Sequence, residues 1–162
     1  MSFVGRLGVP ERATSLTAAA GEHFIAFKLS QMGYPAALTR GGSPTIDLMA
    51  GNLDGSETVS LQIKTSSGAW REYKRKPENN HWEWPVGHLA KTLNGKSIFY
   101  AFVDLKWSGD DENIPDVFIV PSKAVHDAFA ETNWSMNVFW ILETEKSKYY
   151  NNWTPITKLL RT

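Results

Sequence analysis

The chain has 162 residues, with 17 Lys+Arg against 17 Asp+Glu, 42% hydrophobic and 12% aromatic content, and no cysteine. That apolar content excludes disorder along the whole chain, and the missing cysteine excludes disulfides, zinc–thiolate and iron–sulfur sites and a thiol nucleophile, which fits a cytoplasmic protein. The longest apolar run, Ile98 to Val103, is far short of the roughly 20 residues of a membrane-spanning helix, and zero net charge leaves no global field for nucleic acid, so any such binding needs a local patch.

In chain order, residues 1–10 read as a loose arm interrupted by Pro10, without the pattern of a signal peptide. Residues 11–31 form a long helix, with Thr14 or Ser15 as N-cap and Gly33 as the stop signal. The helix has two apolar stripes, Leu16/Ala20/Phe24/Phe27 and Ala18/Ile25/Ala26/Leu29/Met32, which together leave little circumference for water and predict packing on a sheet. Strand-like runs follow at 34–38, 45–50 and 58–64, and Gly51-Asn52-Leu53-Asp54-Gly55 between the last two reads as a hairpin turn.

Residues 70–84 are polar, basic and aromatic without clean periodicity and read as a surface loop, and a short helix is expected over 86–93. Residues 97–105 and 116–120 are rich in aromatic and β-branched types and read as buried strands joined by an acidic turn at 109–113. Ser122 is placed to cap a helix through about Ala130. A strand over 138–142 and a terminal element over 149–160 complete the chain, and Trp134, Trp140 and Trp153 read as core aromatics. No repeat or linker divides it. The expectation is one domain, residues 1–162, of α/β class, with a mixed central sheet flanked by helices in the order αβββαβ.

Three elements carry a constellation that composition would not predict. Asp47 lies in the apolar run Ile46-Asp47-Leu48-Met49, and Gln62 and Lys64 lie on the next strand as Leu61-Gln62-Ile63-Lys64. Residues two apart on a strand share a face, so Gln62 and Lys64 point together while Leu61 and Ile63 point away. Glu22 sits among apolar helix residues, with no Lys or Arg at 18, 19, 25 or 26 to neutralise it. A carboxylate in such a place needs a partner, because burying it alone is costly. Asp47, Glu22, the Gln62 side-chain carbonyl and the Ile63 main-chain carbonyl would make an all-oxygen set suited to Mg²⁺, with Mn²⁺ as a substitute, and Lys64 would stand by to stabilise charge on a phosphate.

The order Gly21-Glu22 on a first helix, Asp47 on a strand and Gln62-Ile63-Lys64-Thr65 on the next resembles the PD-(D/E)XK nuclease superfamily, in the variant with Gln at the second acidic position found in Mrr-type restriction nucleases. The resemblance covers roughly residues 14–120. It implies a restriction-endonuclease-like core and metal-dependent cleavage of DNA in restriction, repair or mobile-element biology, with Asp47, Gln62, Lys64 and Glu22 as catalytic residues. Two departures stand out: Pro44 precedes Asp47 by three residues, and Gln62 removes one negative charge. The registers Asp104-Leu105-Lys106 and Glu72-Tyr73-Lys74 also fit D/E-x-K, but no strand-borne aspartate stands a hairpin ahead of Asp104, and Glu72 falls in the expected loop.

After Lys64, the segment Trp70-Arg71-Glu72-Tyr73-Lys74-Arg75-Lys76 places Arg71, Lys74, Arg75 and Lys76 beside Trp70 and Tyr73, a composition suited to phosphate contacts with aromatic support. A solvated loop has the same composition. Cleavage of both strands of a duplex calls for two sites, so the resemblance also implies a homodimer, while a partner protein for recognition stays open. The reading from another class is a nuclease-like fold without catalysis that binds nucleic acid or a protein.

Overall fold

The structure, a computed structural model, describes residues 13–40, 45–108, 113–130 and 137–161. The expected N-terminal arm, Pro44, Trp134 and most of the acidic turn lie outside them. Helix α1 runs Thr14–Gln31, strands β1 Ala36–Leu38, β2 Leu48–Gly51 and β3 Thr58–Ser66 follow, then β4 Trp70–Arg71 and β5 His81–Pro85. Strands β6 Ile98–Asp104 and β7 Asp116–Pro121 precede helix α2 Ser122–Ala130, and β8 Val138–Leu142 leads to short helices α3 Lys146–Tyr149 and α4 Thr154–Leu160. The main sheet has the order β1-β2-β3-β6-β7, antiparallel except for the parallel β3–β6 pair. This is the expected mixed α/β sheet flanked by helices.

Alternation on the central strands builds two cores. Leu61 and Ile63 with Phe99, Ala101 and Val103 face Ile25 and Leu29 of α1 and Ile156 and Leu160 of α4. On the opposite face Tyr100, Phe102, Phe118 and Val120 meet Trp82, Trp84, Val125, Phe139 and Ile141. Several of these side chains are fully buried, and each one removed from water contributes roughly 1.5–3 kcal/mol. The second core has its own roof, a small sheet of order β4-β5-β8.

That small sheet corrects the sequence reading of residues 70–84 as a loop. In His81-Trp82-Glu83-Trp84, the two tryptophans alternate onto the core while Glu83 stays partly exposed, and β5 takes β8 as its partner, with Trp82 opposite Ile141 and Trp84 opposite Phe139. The Trp84 indole N–H donates to the Val103 carbonyl at 2.9 Å, pinning one sheet to the other. The expected helix over 86–93 is only a 3₁₀ turn, His88–Lys91.

Helix α1 is also partly corrected. It starts after Ala13 without a side-chain cap, and it buries Thr17, Gly21, Ile25 and Leu29. Only one sheet face is available to it, so the other apolar stripe is covered only in part: Phe24 packs against the first core, while Leu16 is 61% and Phe27 56% exposed. Its end follows the expectation: Gly33 takes φ +90°, and the Gly33 and Tyr34 N–H groups donate to Ser30 and Leu29 carbonyls at 3.0 Å. The Ser122 hydroxyl does not cap α2; it bonds the main chain of Gly95, accepting at 3.0 Å and donating at 3.1 Å. Trp153 is buried in the first core as expected, whereas Trp140 lies on the outer face of the small sheet, 37% exposed. Among the described residues no helix is long and apolar enough to cross a membrane.

Candidate functional site

The site forms where β2 begins against the middle of β3. Leu48 pairs with Leu61, and just before it the Asp47 main chain continues the ladder, its N–H donating to the Leu61 carbonyl and its carbonyl accepting from Thr39 N–H, each at 2.9 Å. Residues opposite one another in an antiparallel pair share a face, so the Asp47 carboxylate comes over Gln62. Its Oδ2 accepts from Gln62 Nε2 at 2.5 Å and from the Ile63 main-chain N–H at 2.6 Å. Both bonds fall on one oxygen, and Oδ1 has no hydrogen bond among the described residues. Gln62 is 8% exposed and is therefore a buried polar group satisfied by Asp47.

Lys64 follows on the same face, opposite Phe102 of β6. It forms no ion pair among the described residues, and its strand position holds it partly covered rather than loose in solvent.

Glu22 arrives from the other side of the sheet. Helix α1 crosses β3 at Gly21, where a side chain of any size would strike Thr65: a Cβ there would overlap Thr65 Oγ1 and lie 2.9 Å from both Thr65 Cβ and Cγ2. Glycine is thus required by the close approach. The next residue, Glu22, then stands near Asp47. Burial raises the Glu22 pKa above its ordinary 4.5, and the Asp47 charge raises it further, against a smaller opposing effect of His23. Glu22 makes neither a hydrogen bond nor an ion pair among the described residues. Two carboxylates that repel one another, neither in an ion pair among the described residues, are held together by the fold.

The structure therefore brings Glu22, Asp47 and Gln62 together, with Lys64 on the same face as Gln62. Ile63 meets Asp47 through its N–H. Among the described residues no group of three or more His, Cys, Asp or Glu could hold a metal ion, because the third position here is an amide. Two neighbouring carboxylates with a free Asp47 Oδ1 nonetheless offer the oxygen ligands that a hard divalent cation takes while keeping several waters.

The rejected register is occupied differently. Asp104 is 2% exposed and accepts the Lys106 main-chain N–H at 3.0 Å, with burial raising its pKa. Lys106 Nζ pairs with Asp116 at 3.2 Å, and the Tyr150 hydroxyl donates to that same carboxylate at 3.1 Å.

The basic segment divides in two. Trp70 packs on Trp82, ring centres 4.4 Å apart, and belongs to the second core. Arg71 is held by Glu83, with Nε–Oε1 at 2.7 Å, and by the carbonyls of Gly68 and Trp70. Tyr73, Lys74, Arg75 and Lys76 are exposed, and the three cations form no ion pair among the described residues. Sequence reasoning missed the Gly21–Thr65 approach, which no pattern announces, and the stacking of Tyr73, His81 and Trp140 on the outer sheet face. The Trp82/Trp84 alternation was the available signal for that sheet.

No family model matches the chain, and no curated protein matches it by sequence. Among solved structures it is similar to a bacterial homing endonuclease, I-Ssp6803I, with a TM-score of 0.54 at 14% identity, over 90% of this chain and 93% of that one. At that identity the likeness carries the fold alone: the mixed α/β architecture is one that a nuclease also has.

Proposed function

We propose that this protein is a Mg²⁺-dependent DNA endonuclease of PD-(D/E)XK type, acting in restriction, repair or mobile-element biology, with Mn²⁺ able to substitute. The observation that carries the reading is the approach of the Glu22 and Asp47 carboxylates beside Gln62, neither carboxylate in an ion pair among the described residues, in a chain whose fold resembles that of a homing endonuclease. Asp47 and Glu22 would hold the metal, with Gln62 and the Ile63 carbonyl completing its surroundings. Bound there, a divalent cation supplies Lewis-acid polarisation of the phosphate and an activated water.

The remaining work belongs to the chain. The Gln62 amide and Ile63 N–H fix the Asp47 carboxylate, so its free oxygen is aimed before substrate arrives. Lys64 supplies a positive charge on the same face, suited to stabilising the negative charge that develops on the phosphoryl oxygens. Cleavage of both strands of a duplex would use two copies related by a twofold axis.

The test is cleavage of supercoiled plasmid and single-stranded DNA with Mg²⁺ or Mn²⁺. The expected result is metal-dependent cutting by the wild type, abolished in Asp47→Ala and in Lys64→Ala. A second reading rests on the Gln62–Asp47 bond, which satisfies the carboxylate with no metal at all: a nuclease fold that binds nucleic acid or a protein without cutting. Absence of cutting by purified wild type under either metal, with a thermal midpoint unmoved by both, would select it.

A further inference from the structure

The outer face of the small sheet carries a three-ring stack that the nuclease reading does not use. His81 lies between Tyr73 and Trp140, with ring centres at 5.6 and 4.6 Å and planes within 24° of parallel. His81 is 2% exposed, closed in by the two flanking rings, while Tyr73 keeps 47% of its surface in water at the end of the stack. The imidazole is fixed in turn, Nδ1 lying 2.7 Å from the Asn79 carbonyl and Nε2 3.4 Å from Glu83 Oε2.

Tyr73 also opens a tight turn that carries three cations. The Lys76 N–H donates to the Tyr73 carbonyl at 3.0 Å, so Lys74, Arg75 and Lys76 occupy the remaining turn positions. The Tyr73 N–H donates to Asn80 Oδ1 at 2.7 Å, closing the turn onto its own stem. An aromatic face in a set orientation thus stands directly beside three positive charges that form no ion pair among the described residues.

From this we infer that Tyr73 is a stacking platform for an unpaired nucleobase, with Lys74, Arg75 and Lys76 taking the phosphates of the same strand. The inference rests on the nuclease reading only for nucleic acid as the ligand, and it narrows the substrate to DNA with an unpaired stretch. The chemistry selects that ligand. A base inside a duplex offers no free face to a ring, whereas an unpaired base does, and stacking tolerates any sequence. A fully paired duplex would engage the cations alone.

The test measures anisotropy of fluorescent oligo-dT and of a blunt duplex of the same length, in EDTA, across a salt titration. Tyr73→Ala is expected to weaken oligo-dT binding about tenfold without changing its salt slope, to leave the duplex within about twofold, and Tyr73→Phe to bind like wild type. Lys74, Arg75 and Lys76 changed together to Ala should weaken both ligands and lower the oligo-dT salt slope by about 2. Tyr73→Leu, which keeps an apolar side chain of similar reach, serves if Tyr73→Ala lowers the thermal midpoint. The inference is overturned if removing the ring changes both ligands alike or neither, or if wild type binds the duplex and not oligo-dT. Loss of plasmid cleavage with ring-dependent oligo-dT binding intact would instead sink the nuclease reading and leave this one standing.

Discussion

Gly21→Ala probes the point where the fold builds the site. An alanine Cβ would overlap Thr65 Oγ1, and rotating the Thr65 side chain does not help, because Thr65 Cβ itself, fixed to the β3 backbone, lies 2.9 Å away. Helix α1 must therefore move off the strand. Overpacking costs roughly 1–3 kcal/mol, and an overlap this deep takes the upper part of that range, about 2–3 kcal/mol, against a gain of about 1 kcal/mol from alanine's helix propensity. The net loss, about 1–2 kcal/mol, corresponds to a fall in thermal midpoint of about 2–8 °C for a domain of this size. Because Glu22 is the next residue, the displacement also separates its carboxylate from Asp47, so any rise in midpoint that Mg²⁺ gives the wild type should shrink. The assay is thermal unfolding in EDTA and in a Mg²⁺ titration, for Gly21→Ala, Thr65→Ala and the double variant. Thr65→Ala removes a hydroxyl that is buried without a partner and should change stability little, while in the double variant it recovers part of the Gly21→Ala loss, a coupling expected of residues in contact. A Gly21→Ala protein as stable as wild type, or additive changes in the double variant, would refute the close approach as the origin of the Glu22 position.

Two more perturbations follow from the same structure. Glu22 has a folded pKa raised above 4.5, so the folded state holds its proton more tightly than the unfolded chain, and the ionised group costs stability once pH rises above the folded value. Glu22→Gln should therefore raise the midpoint at pH 7 by about 1–2 °C, the effect being small because the group is only partly buried. That advantage should disappear as pH falls below 4.5, and an advantage that persisted there would refute the electrostatic cause. Trp84→Phe keeps an aromatic ring but removes the indole donor to the Val103 carbonyl, which retains its place in the β3–β6 ladder, and leaves a small cavity; it should cost about 1–3 kcal/mol in urea unfolding. A cost under about 0.5 kcal/mol would mean that the two sheets are not pinned there.

The residues of the candidate site were legible because their relationships are local. Gln62 and Lys64 share a face by the twofold period of one strand, and Asp47 reaches Gln62 across the short turn Gly51–Gly55, so chain proximity does the work of tertiary structure. Glu22 was legible by a different route, as a charge with nothing on its own helix to neutralise it. The small sheet was not legible, since β5 finds its partner β8 more than fifty residues later, and strand pairing at that separation leaves no local trace beyond the Trp82/Trp84 alternation. The Leu16/Phe27 stripe of α1 misled for a related reason. Periodicity tells which side chains share a helix face, but whether anything covers that face is decided by the number of layers, and here the sheet has only one side to offer α1.

The division of the basic segment 70–76 shows how one composition serves two ends. Trp70 and Arg71 lie on β4, so sheet geometry turns the tryptophan onto Trp82 and fixes the guanidinium on Glu83. Two residues later the strand has ended, and Tyr73, Lys74, Arg75 and Lys76 are carried outward on a turn that Asn80 closes. The strand boundary therefore separates residues that stabilise the small sheet from residues free to meet a polyanion. The small sheet in turn packs on the face of the main sheet that carries Gln62 and Lys64, as the register of Gln62 with Tyr100 and of Lys64 with Phe102 requires. The β3 strand and the turn that follows β4 thus connect the candidate metal site to a cationic surface through eight residues of chain between Lys64 and Tyr73. A strand of nucleic acid held at the turn would be held on the same side of the main sheet as Lys64.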